Sequence, residues 1–222
     1  LRAITIKGKF NGATGNYSSH KVTFPEINWP SNIKRFLKSL GLDMNSHTTQ
    51  IEPHDYIADL CFKINHINSI LIGFSQDIWS YISKNYFSQK NIKGEIGSST
   101  MPHKINPINF ENAEGNLGMS NALTHFFANK LTISRLQRDL SDSTVLRNLG
   151  LIFAYSIIAY KNIFLGLNKL EINKIKINND IDNCWEILAE PIQMVARKYN
   201  IDNSYEYLKK YTRGKKVDNK VI

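Results

Sequence analysis

The residues best able to do chemistry in this chain lie close together in residues 97–112, which read GSSTMPHKINPINFEN. Ser98 and Ser99 offer two adjacent hydroxyls and follow a glycine, which permits unusual backbone geometry. Lys104 adds a cation and Asn106 an amide a few residues later. Hydroxyl, cation and amide groups at this density predict a reactive loop.

A serine in this loop needs activation, because its hydroxyl is a weak base and nucleophile at neutral pH. An ammonium about 4 Å from the oxygen contributes on the order of 4 kcal/mol at an effective dielectric of about 20, equal to roughly three pKa units before desolvation is subtracted. Lys104 is the candidate for that cation. The spacing does not separate Ser98 from Ser99, and Gly-Ser-Ser-Thr is also typical of a mobile surface linker.

Two prolines, Pro102 and Pro107, define where the loop ends. Proline cannot continue a helix and biases the residue before it towards extended backbone. We therefore predict irregular structure over residues 101–106 and a helix whose first residue is Pro107. Glu111 then falls in the first turn or so of that helix, beside the loop; an ordinary surface glutamate is the alternative.

A second polar group lies in residues 136–150, LQRDLSDSTVLRNLG, at the start of a later predicted helix. It contains two arginines and two hydroxyl side chains, namely Arg138, Ser143, Thr144 and Arg147. Guanidinium groups, hydroxyls and exposed helix amides together are typical of a phosphate site, and Ser141 or Asp142 is placed to cap the helix. The alternative is a loop held by its own ion pairs, through Asp139 and Asp142.

Gln50 lies just before another predicted helix, where a polar turn residue is also expected. The nearby acids and histidines, His47, Glu52, His54 and Asp55, have a spacing that fits no familiar metal site. Acidic side chains are common in the first turn of a helix, because the helix dipole favours them there. No metal site is therefore predicted.

Composition favours a soluble protein. The chain has 222 residues, a formal charge of +9 and no visible signal peptide. Its most apolar stretch, residues 148–160, is shorter than the roughly 17 to 25 residues that span a bilayer. Cys61 and Cys184 are far apart, so neither a disulfide framework nor a zinc site is indicated, and a reducing cytosol fits. The charge admits nucleic acid or an anionic small substrate, and the basic tail, residues 209–220, favours a solvated face.

Apolar periodicity predicts long helices. One runs from Pro53 to about Ser88, and if unbroken it is roughly 54 Å long, more than the roughly 45 Å of a compact globule of this size. Two more cover residues 107–131 and 142–170, and a shorter helical region, residues 181–199, is kinked or split at a proline. These lengths predict an elongated bundle whose flanks are buried against other subunits.

The remaining segments are predicted to be less regular. Residues 1–15 form turns rather than a nucleotide-binding loop, and residues 23–31 are irregular before a short helix over residues 32–40. Thr48 or Thr49 caps the long helix. Residues 172–180 are a polar break and the candidate boundary between a domain of residues 1–171 and one of residues 172–222.

The spacing Gly-Ser-x-x-Met-x-x-Lys-x-Asn from residue 97 resembles the signature of the fumarase/aspartase superfamily. Residues 48–60, TTQIEPHDYIADL, and residues 136–150 are similar to the bacterial type of the adenylosuccinate lyase family, and the similarity covers nearly the whole chain. The resemblance implies an all-α fold, an elongated long-helix bundle of the fumarase/aspartase type that assembles into a multi-subunit helical core. It assigns residues 1–171 to the central helix-bundle domain and residues 172–222 to part of the C-terminal helical domain.

The resemblance also implies a reaction, the elimination of fumarate from adenylosuccinate to give AMP and from the succinylaminoimidazole-carboxamide ribotide of purine biosynthesis. Ser98 is then the general base, Lys104 and Asn106 hold the succinyl carboxylate, and Glu111 orients a histidine of another subunit. The substrate-binding residues implied are Gln50, Ser98, Lys104, Ile105, Asn106, Asn112, Arg138, Ser143, Thr144, Val145, Leu146 and Arg147. No metal or organic cofactor is implied.

The partners implied are a nucleotide substrate and three further copies of the chain, in a cytoplasmic homotetramer whose active sites are shared between subunits. Neither a membrane nor nucleic acid is expected. The general-acid histidine and another substrate-binding histidine of the family lie upstream of where this chain begins, which predicts a fragment that is inactive alone. A sister lyase of the argininosuccinate type, a basic nucleic-acid-binding helical module and a purely structural helical scaffold are the alternatives.

Overall fold

The computed structural model describes residues 4–90, 106–215 and 217, and most of them are helical. The α-helices are α1 Ser18–Thr23, α2 Trp29–Ser39, α3 Asp55–Ser83, α4 Ile108–Leu131, α5 Ser141–Leu146, α6 Leu149–Lys169, α7 Lys174–Asp182, α8 Ala189–Lys198 and α9 Ser204–Thr212. The strands are β1 Lys7–Gly8, β2 Asp43–Met44, β3 Phe87–Gln89 and β4 Leu170–Ile172. The fold is the predicted all-α class with short strand pairs.

The described residues form two units, which comprise residues 4–79 with 106–168, and residues 80–90 with 169–217. The first unit is a bundle of α3, α4 and α6. The start of α3 packs on the end of α4 and the start of α6, through Ile57, Phe127 and Ile152. Farther along, α3 packs on the start of α4 and the end of α6, around Leu117 and Ile163. Helix α4 is therefore antiparallel to α3 and α6.

A buried polar network crosses the middle of this bundle. Asn68 Nδ2 donates to Ser120 Oγ at 3.1 Å and to Ser156 Oγ at 3.2 Å, while Tyr160 Oη donates to Asn68 Oδ1 at 2.7 Å. The network links all three helices and satisfies polar groups that are costly to bury without partners. It thus fixes how the helices align along their length.

Helix α3 is shorter than predicted. Its 29 residues measure about 44 Å. It begins at Asp55 because the His54 carbonyl accepts the first helical hydrogen bonds, from Ile57 and Ala58. The predicted threonine cap is wrong, since Thr48 Oγ1 instead exchanges hydrogen bonds with Asn11.

The helix also stops before the predicted residue 88. Asn85 has φ 61°, a left-handed conformation that ends helices. The Tyr86 N–H then donates back to the Tyr81 carbonyl.

The region before α3 holds a strand pair that the sequence did not indicate and a predicted helix that starts earlier than expected. The parallel pair β1 and β2 joins Lys7 to Asp43 and Gly8 to Met44. Helix α2 begins at Trp29, inside a stretch predicted to be irregular, because Pro30 is tolerated in a first turn and Asn28 Oδ1 caps the Ser31 N–H.

The predicted helix over residues 142–170 is instead two helices, α5 and α6, which a turn at residues 147–148 separates. Residues 141–169 together are long and apolar enough to cross a bilayer, by length and composition only. In the structure Ile152 and Ala159 of α6 are fully buried in the bundle with α3 and α4. The core helix of a soluble protein passes the same test.

In the second unit β3 and β4 pair antiparallel, and α7 forms where a polar break was predicted. The Lys176 ammonium and the Tyr86 hydroxyl both donate to Asp180, which lowers the pKa of that carboxyl. Pro191 does not split a helix, since it lies in the first turn of α8. The domain boundary predicted at residue 172 stays a prediction.

Candidate functional site

The predicted reactive loop lies mostly outside the described residues. Ser98, Ser99, Lys104 and Ile105 fall there, so their predicted roles stay predictions. Asn106 is the first described residue after the gap and is half-buried at the entrance to α4.

Helix α4 begins one residue later than predicted. Pro107 is its N-cap rather than its first residue, and the Pro107 carbonyl accepts from the N–H groups of Phe110 and Glu111 at 2.9 and 3.1 Å. Proline serves here because a capping position needs its carbonyl, not its absent N–H. Glu111 thus lies in the first turn, as predicted.

Glu111 is exposed on α4 and has a partner on α3. Its Oε1 accepts a hydrogen bond from Trp79 Nε1 at 3.1 Å. Asn112, the next residue, accepts from Asn116 Nδ2 through both its carbonyl and its side-chain oxygen, at 2.8 and 3.0 Å. The side chains of Glu111 and Asn112 therefore stand at the same end of the bundle as Asn106.

Gln50 lies at the other end of the bundle, beside the arginine-rich segment. Its backbone N–H donates to the Gln137 carbonyl at 3.3 Å. The hydrogen bonds between Asn11 and Thr48, at 2.8 and 3.0 Å, hold the residues just before Gln50. The Gln50 side chain is exposed, so its amide is open to a ligand.

A second contact joins the same two segments. His54 Nε2 lies 3.5 Å from Asp142 Oδ2, and both side chains are nearly buried, at 12% and 10% exposure. Asp142 Oδ1 is buried and has no partner within the described part of the chain. Asp142 therefore ties α5 to α3 instead of capping α5, a role that spacing alone did not indicate.

Glu52 lies between Gln50 and His54 and is also enclosed. Asn45 Nδ2 donates to Glu52 Oε1 at 2.9 Å, and burial raises the pKa of the Glu52 carboxyl. A cavity of about 350 Å³ opens beside this segment. It is lined by Gly15, Ser46, His47, Thr48, Thr49 and Pro53.

Asp139 organises the start of α5. Its Oδ1 accepts from the Ser141 N–H at 3.0 Å, and its Oδ2 lies 3.2 Å from Lys130 Nζ and 3.7 Å from Arg135 Nε. The hydrogen bonds from Ser141, followed by the Lys130 ammonium, lower the pKa of Asp139 to about 2. The predicted caps, Ser141 and Asp142, are thus wrong, because Asp139 supplies this contact.

The two arginines of the segment have no acidic partner within the described part of the chain. Arg138 and Arg147 are exposed, and neither forms an ion pair within the residues that the structure describes. Both nearby acids have other partners: Asp139 pairs with Lys130 and Arg135, and Asp142 contacts His54. The alternative, a loop held by its own ion pairs through Asp139 and Asp142, is seen in part, because Arg135 contacts Asp139 just before the segment.

The other predicted residues of the segment lie on two faces of α5, one polar and one packed into the core. Ser143 Oγ donates to the Leu140 carbonyl at 2.8 Å, while Thr144 is exposed. Val145 and Leu146 pack into the core cluster. A ligand at this segment therefore meets the backbone of Val145 and Leu146, not their side chains.

The described candidate residues thus form two groups at opposite ends of one bundle. Gln50, Arg138 and Arg147 lie at the end where α4 finishes, and Glu111 and Asn112 lie where it starts. From Asn112 to Leu131, 19 positions later, α4 rises about 29 Å. One copy of the chain does not bring both groups to a single small ligand.

A cavity of about 410 Å³ in the second unit contains none of the predicted site residues. It is lined by Tyr81, Tyr86, Phe87, Ile177, Asp180, Ile181, Cys184 and Ile187. Both oxygens of Asp180 are already taken by Lys176 and Tyr86.

Relatives with this sequence pattern are adenylosuccinate lyases. The chain is 60% identical to that of Buchnera aphidicola subsp. Schizaphis graminum, 58% to that of Legionella pneumophila strain Corby and 55% to that of Escherichia coli K12. Each match runs over 218 residues, 98% of this chain and 48% of the relative. The chain therefore spans about half the length of the curated relatives it matches.

Solved structures share the fold. The 3-carboxy-cis,cis-muconate lactonizing enzyme of Pseudomonas putida matches with a TM-score of 0.67 at 17% identity, over 94% of this chain and 46% of its own. The class II fumarase of Schistosoma mansoni matches with a TM-score of 0.58 at 15% identity, over 81% of this chain and 40% of its own. At such identities the likeness concerns the fold alone.

Two family models match the sequence in succession. Residues 134–222 match the adenylosuccinate lyase C-terminal model, and residues 1–120, more than half of the chain, match the lyase model. The chain belongs to the lyase family.

Proposed function

We propose that this chain forms about half of an adenylosuccinate lyase, called the whole enzyme below, which eliminates fumarate from adenylosuccinate to give AMP. The same enzyme would act on the succinylaminoimidazole-carboxamide ribotide of purine biosynthesis. Support comes from the 55% to 60% identity to adenylosuccinate lyases along nearly the whole chain. The structural observation that carries the proposal is the placement of Gln50 beside a segment with two exposed arginines, which form no ion pair among the described residues.

In the proposed reaction Ser98 removes the proton from Cβ of the succinyl group. The electron pair left on carbon spreads onto the neighbouring carboxylate, which Lys104 and Asn106 hold, so its developing charge is stabilised. The pair then forms the carbon–carbon double bond as the carbon–nitrogen bond breaks. The leaving nitrogen takes a proton from a histidine, which Glu111 of another copy orients, and fumarate and the amine are released.

The other group of residues would hold the nucleotide. Arg138 and Arg147 would bind its phosphate, because a guanidinium forms charge-assisted hydrogen bonds with phosphate oxygens. Gln50 and Thr144 would contribute an amide and a hydroxyl, and the backbone of Val145 and Leu146 would lie against the ligand. With these assignments, binding of the substrate's phosphate depends on the contact between α3 and α5.

We further propose a homotetramer in which several copies complete each active site. The separation of about 29 Å between the two groups supports this, since a succinyl nucleotide does not span it. Large apolar side chains on α4 and α6 are exposed in the single chain, among them Phe126, Ile157 and Phe164. A Cβ added at Gly115 or Gly118 would also meet nothing within 4 Å, so these helix faces leave room for another copy.

The proposal places the enzyme in the cytoplasm and includes no metal or organic cofactor. It also assigns residues 1–171 to the central helical domain and residues 172–222 to a C-terminal helical domain. Neither a membrane nor nucleic acid is among the proposed partners.

A fumarate-release assay with adenylosuccinate tests the proposed base. In the whole enzyme Ser98→Ala should reduce kcat by about three orders of magnitude or more, and the matched neighbour Ser99→Ala should cost far less. The 222-residue chain assayed alone should release no fumarate. Equal turnover of the two serine variants and the unaltered whole enzyme would overturn the assignment of the base.

A further inference from the structure

The indole of Trp79 holds the carboxylate of Glu111 across two helices. Trp79 lies near the end of α3 and Glu111 in the first turn of α4, and Nε1 lies 3.1 Å from Oε1. The contact adds a residue to the Glu111 end of the site that neither spacing nor composition indicated.

This hydrogen bond restricts a side chain that is otherwise free to rotate. Glu111 is exposed, and a glutamate has three rotatable side-chain bonds, whereas an indole has two and is rigid. The single indole N–H is a donor only and engages Oε1. Among the described residues no donor contacts Glu111 Oε2, so this oxygen can accept from a second donor.

A neighbouring contact on the same two helices provides a comparison. Gln76 Nε2 donates to Glu114 Oε1 at 2.9 Å, three residues earlier on α3 and three residues later on α4. Both contacts join a neutral N–H donor of α3 to a carboxylate of α4. Only the Glu111 contact lies in the first turn of α4, next to Asn106 and Asn112.

We propose that Trp79 is a positioning residue for the elimination reaction. It fixes Glu111 Oε1, so that Oε2 receives the N–H of the histidine that protonates the leaving nitrogen. The inference rests on the proposed function, because it assumes the orienting role of Glu111. Trp79 then acts on turnover through Glu111 and has no contact of its own with the substrate.

Three variants of the whole enzyme test this. Trp79→Phe removes the N–H and keeps an aromatic ring, and it should lower kcat about tenfold with KM changed less than about twofold. Trp79→His restores a ring N–H, because the imidazole Nε2 lies where the indole Nε1 lies relative to Cβ. On a logarithmic scale, it should recover about half of the lost kcat. The matched control Gln76→Met removes the contact to Glu114 and should leave kcat unchanged.

A double-mutant cycle separates positioning from general loss of structure. In a Glu111→Gln background, Trp79→Phe should cost less than about twofold in kcat, because the carboxylate it positions is gone. An equal loss in both backgrounds, or a wild-type kcat for Trp79→Phe, would overturn the inference and leave the proposed function standing. A wild-type kcat for Glu111→Gln alone would instead overturn the proposed role of Glu111, and this inference with it.

Discussion

His54 Nε2 lies 3.5 Å from Asp142 Oδ2, a contact between residues 88 positions apart in sequence. Four residues before each partner stands a proposed ligand of the nucleotide, Gln50 before His54 and Arg138 before Asp142. The hydrogen bond from the Gln50 N–H to the Gln137 carbonyl joins the same two segments. The proposed nucleotide end of the site would therefore depend on this contact between His54 and Asp142.

Removing His54 should weaken substrate binding more than turnover. In the whole enzyme His54→Ala should raise KM for adenylosuccinate about tenfold and change kcat less than about twofold, because Gln50 and Arg138 lose their alignment. The variant should also lose about 3 kcal/mol of unfolding free energy, since Asp142 is left buried without a partner. Steady-state kinetics and urea denaturation measure both effects.

Arg135→Ala is the control for that substitution. Arg135 contacts Asp139 in the same segment, but its side chain is 84% exposed. Surface ion pairs contribute little, so this variant should lose less than about 0.5 kcal/mol and keep its KM. A KM for His54→Ala equal to that of Arg135→Ala would contradict the proposed role of the His54–Asp142 contact in substrate binding.

Asp139 should make the stability of the chain depend on pH in acid. Its folded pKa of about 2 lies below the ordinary aspartate pKa of 3.8, so the unfolded state binds more protons between these values. The stabilisation is fully present above pH 3.8 and is lost as the pH falls through about 2. Asp139→Asn should remove this part of the acid dependence.

Denaturant unfolding of the chain at a series of pH values between 2 and 5 checks this. The difference in unfolding free energy between wild type and Asp139→Asn should shrink steadily as the pH falls. A difference that stays constant over this range would show that the hydrogen bonds to Asp139 do not depend on its charge.

Two constraints disfavour a side chain at Gly15, and Gly41 is subject to only one of them. Its φ of +78° disfavours any side chain, and an added Cβ would lie 2.1 Å from the Thr48 carbonyl oxygen. Gly41 has nearly the same φ, +77°, but nothing within 4 Å. Gly41→Ala should therefore cost only the backbone strain, about 1 to 2 kcal/mol.

Gly15→Ala should cost more, about 3 kcal/mol or above, because Thr48 must move. Since Gln50 follows Thr48 by two residues, Gly15→Ala should also raise KM in the whole enzyme, while Gly41→Ala leaves KM unchanged. Thermal unfolding and kinetics of the pair measure this. Equal effects of the two alanines would rule out the close approach of Gly15 to Thr48.

Much of the bundle could be predicted because its signals are local. The helical period of α3 and α4 is carried by each helix's own residues, and Pro107 marks the start of α4 to within one residue. Glu111 was placed in the first turn for the same reason. The resemblance to the lyase family could be recognised because its motif is contiguous in sequence.

The missed features depend on distant partners. The parallel pairing of Lys7 with Asp43 joins segments that are 36 residues apart in sequence. Each strand has only two residues, which is too short to produce a periodic hydrophobic pattern. Asp142 has the spacing of a helix cap, yet its carboxylate contacts His54, which directly precedes α3. The partner of Trp79, Glu111, lies on a different helix, so the sequence around Trp79 does not indicate the contact.

The central claim is that residues about 29 Å apart in one copy meet in a single active site between copies. The most direct measurement is fumarate release by whole enzyme assembled from two inactive variants, Glu111→Gln and Arg138→Ala, co-expressed with different tags. Each variant alone should be nearly inactive at substrate concentrations below KM. Because the two residues of a site come from different copies, the mixed assemblies should recover about a quarter of wild-type activity. Mixed assemblies no more active than their parents would contradict the shared site.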